Sequence, residues 1–232
     1  MTADPFQNFR LVKRLNDTYR HQLAGHPARF RASLGSISFV SHHPHTSQLG
    51  FKCRYNELLQ DPVDMEAYLN RLCNMKPPGR PTPEKDLQSW ILQYALRQGG
   101  LPFDPDIMLF TDEFAREDAT GKLVADILGF NSRTGTLVVI ELKTVRALRE
   151  LTRQLDGCAA WMEGDRDFYR ALLLTHSFSW EAPYRIEKVA VWPSAGTSCP
   201  KRFPAGIREF CYQQHEGWFQ KDRDGYVFTE VR

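Results

Sequence analysis

Two short runs, Val124-Ala125-Asp126-Ile127-Leu128-Gly129-Phe130 and Val138-Val139-Ile140-Glu141-Leu142-Lys143-Thr144, constrain this chain more than any other feature. Both are largely apolar, and Asn131-Ser132-Arg133-Thr134-Gly135 between them has the composition of a turn, so they read as an antiparallel hairpin. Each strand nevertheless carries charge. Side chains alternate faces along a strand, so Glu141 and Lys143 share one face, about 7 Å apart, while Val138, Ile140 and Leu142 take the other. Reasonable registers of the paired strand bring Asp126 close to Glu141. Carboxylates crowded on buried strands repel, and burying them is costly unless a cation or a lysine compensates. A hard divalent ion is the natural compensation.

The flanking sequence supplies the remainder of an α/β fold. A strand over 107–115 precedes the hairpin and completes an antiparallel meander through Asp118-Ala119-Thr120-Gly121. Upstream, the spacing predicts a helix over 82–97, capped by Thr82, opened by Pro83 and stopped by Gly99-Gly100. Glu84 shares a face of that helix with Leu87, Ile91 and either Tyr94 or Ala95, so it is expected to point toward the sheet and meet the same ion, directly or through water. Downstream, Leu148, Leu151, Leu155, Ala159 and Met162 form one stripe of a helix over 147–162. Segments 169–175 and 186–192 read as further strands, the first parallel to the meander because a helix separates them. Residues 206–232 read as a short helix and a final strand. Nearer the N-terminus, a helix over 6–24 precedes strand-like stretches at 36–40 and 49–53, then a helix over 64–75. The cluster Pro77-Pro78-Gly79-Arg80-Pro81 is the clearest break, dividing an α+β N-terminal extension (1–80) from a main domain (81–232).

Composition removes several function classes. The longest apolar runs, Leu137-Val138-Val139-Ile140 and Ala171-Leu172-Leu173-Leu174, fall far short of the roughly 20 residues that span a bilayer. The opening residues Met1-Thr2-Ala3-Asp4-Pro5-Phe6 lack a basic segment followed by an apolar one, so a cytoplasmic protein without a membrane partner is the expectation. Cys53, Cys73, Cys158, Cys199 and Cys211 are odd in number and form no CxxC pair, and read as reduced thiols. No Gly-x-Ser-x-Gly occurs, and Cys158 sits on a helix without an evident base, so neither serine nor cysteine is expected as nucleophile. His42, His43 and His45 occupy a proline-containing loop with no acidic or cysteine partner nearby, which reads as a solvated turn. Glu113, Glu117 and Asp118 are expected at an exposed strand end, and Trp161, Trp180, Trp192 and Trp218 in the core or an interface. The net charge of +2 decides little, but residues 81–145 hold ten acidic and six basic side chains while residues 1–80 hold six and eleven. A cation site flanked by phosphate-binding surfaces has that distribution.

Glu84, Asp126 and Glu141-Leu142-Lys143, carried in turn on a helix and an antiparallel meander and followed by a helix and a strand, resemble the core of the PD-(D/E)XK nuclease superfamily over about residues 82–195. The resemblance implies a restriction endonuclease-like core with a mixed central sheet, meander plus parallel strand, flanked by helices. It implies a metal-dependent hydrolase of phosphodiester bonds using Mg2+ or Mn2+, with DNA favoured over RNA. Asp126, Glu141 and the carbonyl of Leu142 would hold the ion, with Glu84 assisting, and Lys143 would orient or deprotonate the attacking water. Gln154 matches the glutamine of the RecB-like branch and would position water or substrate. On the same helix Arg146, Arg149 and Arg153 recur at i, i+3 and i+7, a basic stripe suited to phosphates. Ala125 stands where the family often has proline, and Trp161 lies near where a tyrosine is often found. The N-terminal extension is assigned to substrate binding or a homodimer contact. Two alternatives stand beside this one: a catalytically silent member of the fold that binds nucleic acid or protein, and a structural subunit of a larger DNA-processing assembly.

Overall fold

Alternating apolar and polar side chains draw most of the second half of the chain into one sheet, and a smaller sheet forms near the N-terminus. The computed structural model describes residues 4–26, 28–42, 49–60, 62–76, 82–118, 121–145, 148–194, 204–214 and 225–231. Among them the helices are α1 (Gln7–Thr18), α2 (Arg20–Ala24), α3 (Tyr55–Leu58), α4 (Met65–Cys73), α5 (Pro83–Gln98), α6 (Leu148–Gly164) and α7 (Arg166–Leu174). The strands are β1 (Ala28–Ala32), β2 (Ile37–Ser41), β3 (Leu49–Cys53), β4 (Ile107–Asp118), β5 (Gly121–Asn131), β6 (Thr136–Leu142), β7 (Ile186–Pro193), β8 (Ile207–Gln214) and β9 (Tyr226–Glu230). None of these helices is long and apolar enough to cross a membrane. Two compact units result, one of residues 1–98 with 167–179 and one of residues 99–166 with 180–232.

In the first unit, β1, β2 and β3 form an antiparallel sheet. Phe30, Phe39 and Phe51 fall in one cross-strand row, and Tyr68 of α4 meets Phe39 edge-on at 5.4 Å. Such aromatic rows are a main source of sheet stability. Asp64 caps α4 by accepting the N–H of Ala67, and Thr82 caps α5 by accepting that of Lys85. Leu87, Ile91 and Leu92 of α5 are fully buried. His42 departs from the expected solvated turn: it is fully buried, and Arg29 Nε donates to its Nε2 at 3.2 Å. Burial, with the nearby charges of Arg29 and Arg31, holds His42 well below the usual imidazole range. His43 and His45 lie outside the described residues, as does the proline cluster at 77–81. Segment 169–175, expected as a strand, falls almost entirely in helix α7. Tyr169, Leu172 and Leu173 are its buried residues, a spacing of three and four that matches a helix.

The second unit is α/β, with a mixed six-stranded sheet in the order β4-β5-β6-β7-β8-β9. The pairs β4/β5 and β5/β6 are antiparallel, as the meander requires, and β6/β7 is parallel. Every residue of β6 is buried. Helix α6 packs against β5, β6 and β7 through a face that buries Leu151, Leu155, Cys158, Ala159 and Met162. The expected C-terminal helix is instead strand β8, parallel to β7 and antiparallel to β9. Its charged side chains are satisfied laterally: Arg208 donates to Asp104 at 2.8 Å, to Glu187 of β7 at 2.5 Å and to Glu230 of β9 at 3.0 Å.

Gly129 governs how closely β4 and β5 approach. A Cβ there would lie 2.5 Å from Ile107 Cγ2 and 3.1 Å from the carbonyl oxygen of Met108. Overpacking of this kind costs about 1–3 kcal/mol. Gly129→Ala is therefore expected to lower the unfolding free energy by that amount, read as a lower urea midpoint at unchanged slope; an unaltered midpoint would show that these strands are not packed so tightly.

Candidate metal and catalytic centre

The hairpin of β5 and β6 ends its regular ladder at the charged residues. Ile127 pairs with Ile140, and the same register carried one step further sets Asp126 opposite Glu141. At that step a side chain takes over from the backbone: the N–H of Leu142 donates to Asp126 Oδ2 at 2.8 Å. The Asp126 carboxylate is thereby oriented by the strand it faces. Ile140 and Leu142 are fully buried, and the alternation leaves Glu141 and Lys143 together on the opposite face. Lys143 Nζ lies 3.8 Å from Glu141 Oε2.

Glu141 is only 1% exposed, and its Oε1 is buried with no hydrogen-bond partner. Burial above all, then the neighbouring charge of Asp126, pushes its pKa up to about 9, with Lys143 pulling the other way. At neutral pH the carboxyl pair retains a proton. Cys158 of α6 senses the same charges: burial, then Glu141, then Asp126, push its thiol up to about 12. The thiol is therefore neutral rather than a thiolate. One turn earlier on α6, Gln154 also has a buried Oε1 without a hydrogen-bond partner.

These groups fit a hard cation. Asp126, Glu141 and a main-chain carbonyl are all oxygen donors, the set that Mg2+ and Mn2+ take. The unpartnered buried Oε1 of Glu141 is the atom such an ion would satisfy. Among the described residues no three His, Cys, Asp or Glu side chains converge as ligands, so such an ion would also draw on main-chain oxygen and water.

Asp126, Glu141, Lys143 and Gln154 thus all lie in the second unit, as do Arg149 and Arg153. The two arginines are exposed on α6 and line a shallow open depression with Leu148 and Glu150; Arg146 lies outside the described residues. Glu84 is half-buried in the first turn of α5 and belongs to the first unit. Glu113 corrects an expectation: rather than sitting at an exposed strand end, it is half-buried within β4 with φ 50°. Trp180 and Trp192 are buried as core residues, and Trp161 is half-buried. Cys158 had a legible signal, since it follows Gln154 by one helical turn. Compared with family models, curated proteins and solved structures, the chain matches none.

The raised pKa of Glu141 makes stability depend on pH. The folded state holds a proton that the unfolded state gives up near pH 4.5, so this contribution is complete below that pH and is lost as pH rises toward about 9. In chelator-treated buffer, Glu141→Gln is expected to raise Tm at pH 8 and to flatten the decline between pH 5 and 9 relative to wild type. Parallel Tm profiles for the two proteins would mean that Glu141 is not buried beside Asp126.

Proposed function

We propose that the chain is a metal-dependent nuclease of the PD-(D/E)XK type, with a restriction endonuclease-like core, that hydrolyses phosphodiester bonds in DNA. The observation that carries this reading is the buried Glu141 carboxyl beside the half-buried Asp126, with the Lys143 ammonium 3.8 Å from Glu141. A fold that used this surface only for binding would gain nothing from so costly an arrangement.

Asp126, Glu141 and the carbonyl of Leu142 would hold Mg2+ or Mn2+. When bound, the ion polarises the scissile phosphate and lowers the pKa of a coordinated water. The Leu142 N–H keeps the Asp126 carboxylate in place for that task. Lys143 orients the attacking water and stabilises negative charge developing on the phosphate oxygens. Gln154, with an unpartnered Oε1 on the helix that packs over β5 and β6, accepts a hydrogen bond from water or substrate. Arg149 and Arg153 present their guanidinium groups to backbone phosphates. Glu84 is assigned its supporting part on the resemblance alone.

Incubation with linear, circular and single-stranded DNA and with RNA, each with Mg2+ or Mn2+, tests the proposal. Cleavage of at least one DNA substrate is expected, abolished by chelation and slowed about 100-fold or more in Lys143→Ala, the scale of losing one charge-stabilising group. A Lys143→Ala protein that degrades every substrate as fast as wild type would remove the assigned site, and a wild type that cuts nothing would favour the silent, binding-only form of the fold.

A further inference from the structure

We infer that Glu113 is a further acidic member of this site, a positioning residue that acts on the bound divalent ion through the ion's water shell; the inference rests on the nuclease reading above. The ladder between β4 and β5 pairs Asp112 with Ile127 and Phe114 with Ala125. Glu113, between them, faces Asp126. Since Ile127 pairs with Ile140, Asp126 in turn faces Glu141. Three acidic residues therefore occupy one row across three adjacent strands, whose spacing is about 4.8 Å.

Like charges directly opposite one another destabilise a sheet. This row has two such adjacencies, Glu113 with Asp126 and Asp126 with Glu141. The flanking residues Asp112 and Phe114 are 1% and 6% exposed, whereas Glu113 is half-buried, the alternation expected if Glu113 shares the face of Asp126. The pairs on either side of Glu113, Asp112 with Ile127 and Phe114 with Ala125, keep one register, so its left-handed backbone, φ 50°, is a local feature, separate from the register shift between Leu109 and Thr111. A glutamate rarely adopts that conformation, and it persists where surrounding structure or function holds it. Independently of this row's geometry, Glu141 Oε1 points to a ligand, because it is a buried oxygen with no hydrogen-bond partner at the end of the row. Among the described residues no three His, Cys, Asp or Glu side chains converge closely enough to ligate one ion directly. Glu113 is accordingly assigned to the outer shell, where it accepts a hydrogen bond from a water on the β4 side of the ion. Outer-shell groups of this kind tune metal affinity without touching the metal.

The test is Mn2+ binding to the full chain by isothermal titration calorimetry, with Tm measured in parallel, for wild type, Glu113→Gln, Glu113→Gly and the exposed-strand control Glu117→Gln. Glu113→Gln is expected to weaken Mn2+ binding about tenfold, within the range for outer-shell changes, and Glu117→Gln to leave it unaltered. Glu113→Gly removes the carboxylate and suits the left-handed backbone, so it is expected to raise Tm while weakening Mn2+ binding as much as Glu113→Gln does. A merely structural glutamate would lower Tm when replaced by glutamine and leave Mn2+ affinity unchanged. Wild-type affinity in both Glu113 variants overturns the inference and leaves the nuclease reading standing, whereas a wild type that binds no Mn2+ overturns both.

Discussion

Glu141 sits where an apolar residue would pack, in a strand buried along its whole length, and it faces a second carboxylate across the hairpin. Burial alone disfavours its charge, and Asp126 adds to the penalty. The surrounding architecture is arranged to hold that unfavourable pair. At Glu141 strand β6 is paired in parallel with β7, while its antiparallel ladder with β5 has ended at Ile140. The face of helix α6 that packs on the sheet buries Leu151, Leu155, Cys158, Ala159 and Met162, and the Cys158 thiol stays neutral. The backbone itself yields at this point: the N–H of Leu142 bonds a carboxylate, and the ladder stops.

The same sheet shows how charge is treated when it serves structure alone. Arg208 of β8 is surrounded by Asp104, Glu187 and Glu230, which hold its guanidinium more firmly protonated than usual despite burial. Its carboxylate partners come from neighbouring strands and a loop of the same unit, and together they fix the register of β7, β8 and β9. Glu141 has no equivalent. Lys143 Nζ lies 3.8 Å from its Oε2, beyond hydrogen-bond length, and its Oε1 has no hydrogen-bond partner. A satisfied cluster and an unsatisfied one thus stand a few strands apart, and this contrast is what supports the proposed site.

The meander, α5, α6 and β7 were legible in the sequence because each combines a clear period with capping or turn residues at its ends. Thr82 before Pro83 marked the start of α5, and Asn131 to Gly135 marked the turn between β5 and β6. The errors have a common cause. Ala171-Leu172-Leu173-Leu174 is too short an apolar run to distinguish a strand from a helix, and only its packing in α7 decides. Strand β8 carries Arg208 and Glu209 amid aromatics, and its strand character depends on partners far away in the chain. For His42 and Glu113 the local pattern points to exposure, because polar residues usually are exposed. Arg29, which buries the first, and Asp126, which faces the second, each lie thirteen positions away and only the folded register brings them near. The candidate site was readable for Asp126, Glu141 and Lys143, where charge interrupts apolar strands, and unreadable for Glu113, where charge interrupts nothing visible in the local pattern.

What unites these observations is a buried Glu141 carboxyl facing a half-buried Asp126, a closeness that a divalent ion would make tolerable. Anomalous diffraction from crystals grown with Mn2+ tests it most directly. The expected map has a peak bonded to carboxylate oxygens of both Asp126 and Glu141; a map with no peak there at saturating Mn2+, or with one only at other residues, contradicts the pair as an ion site.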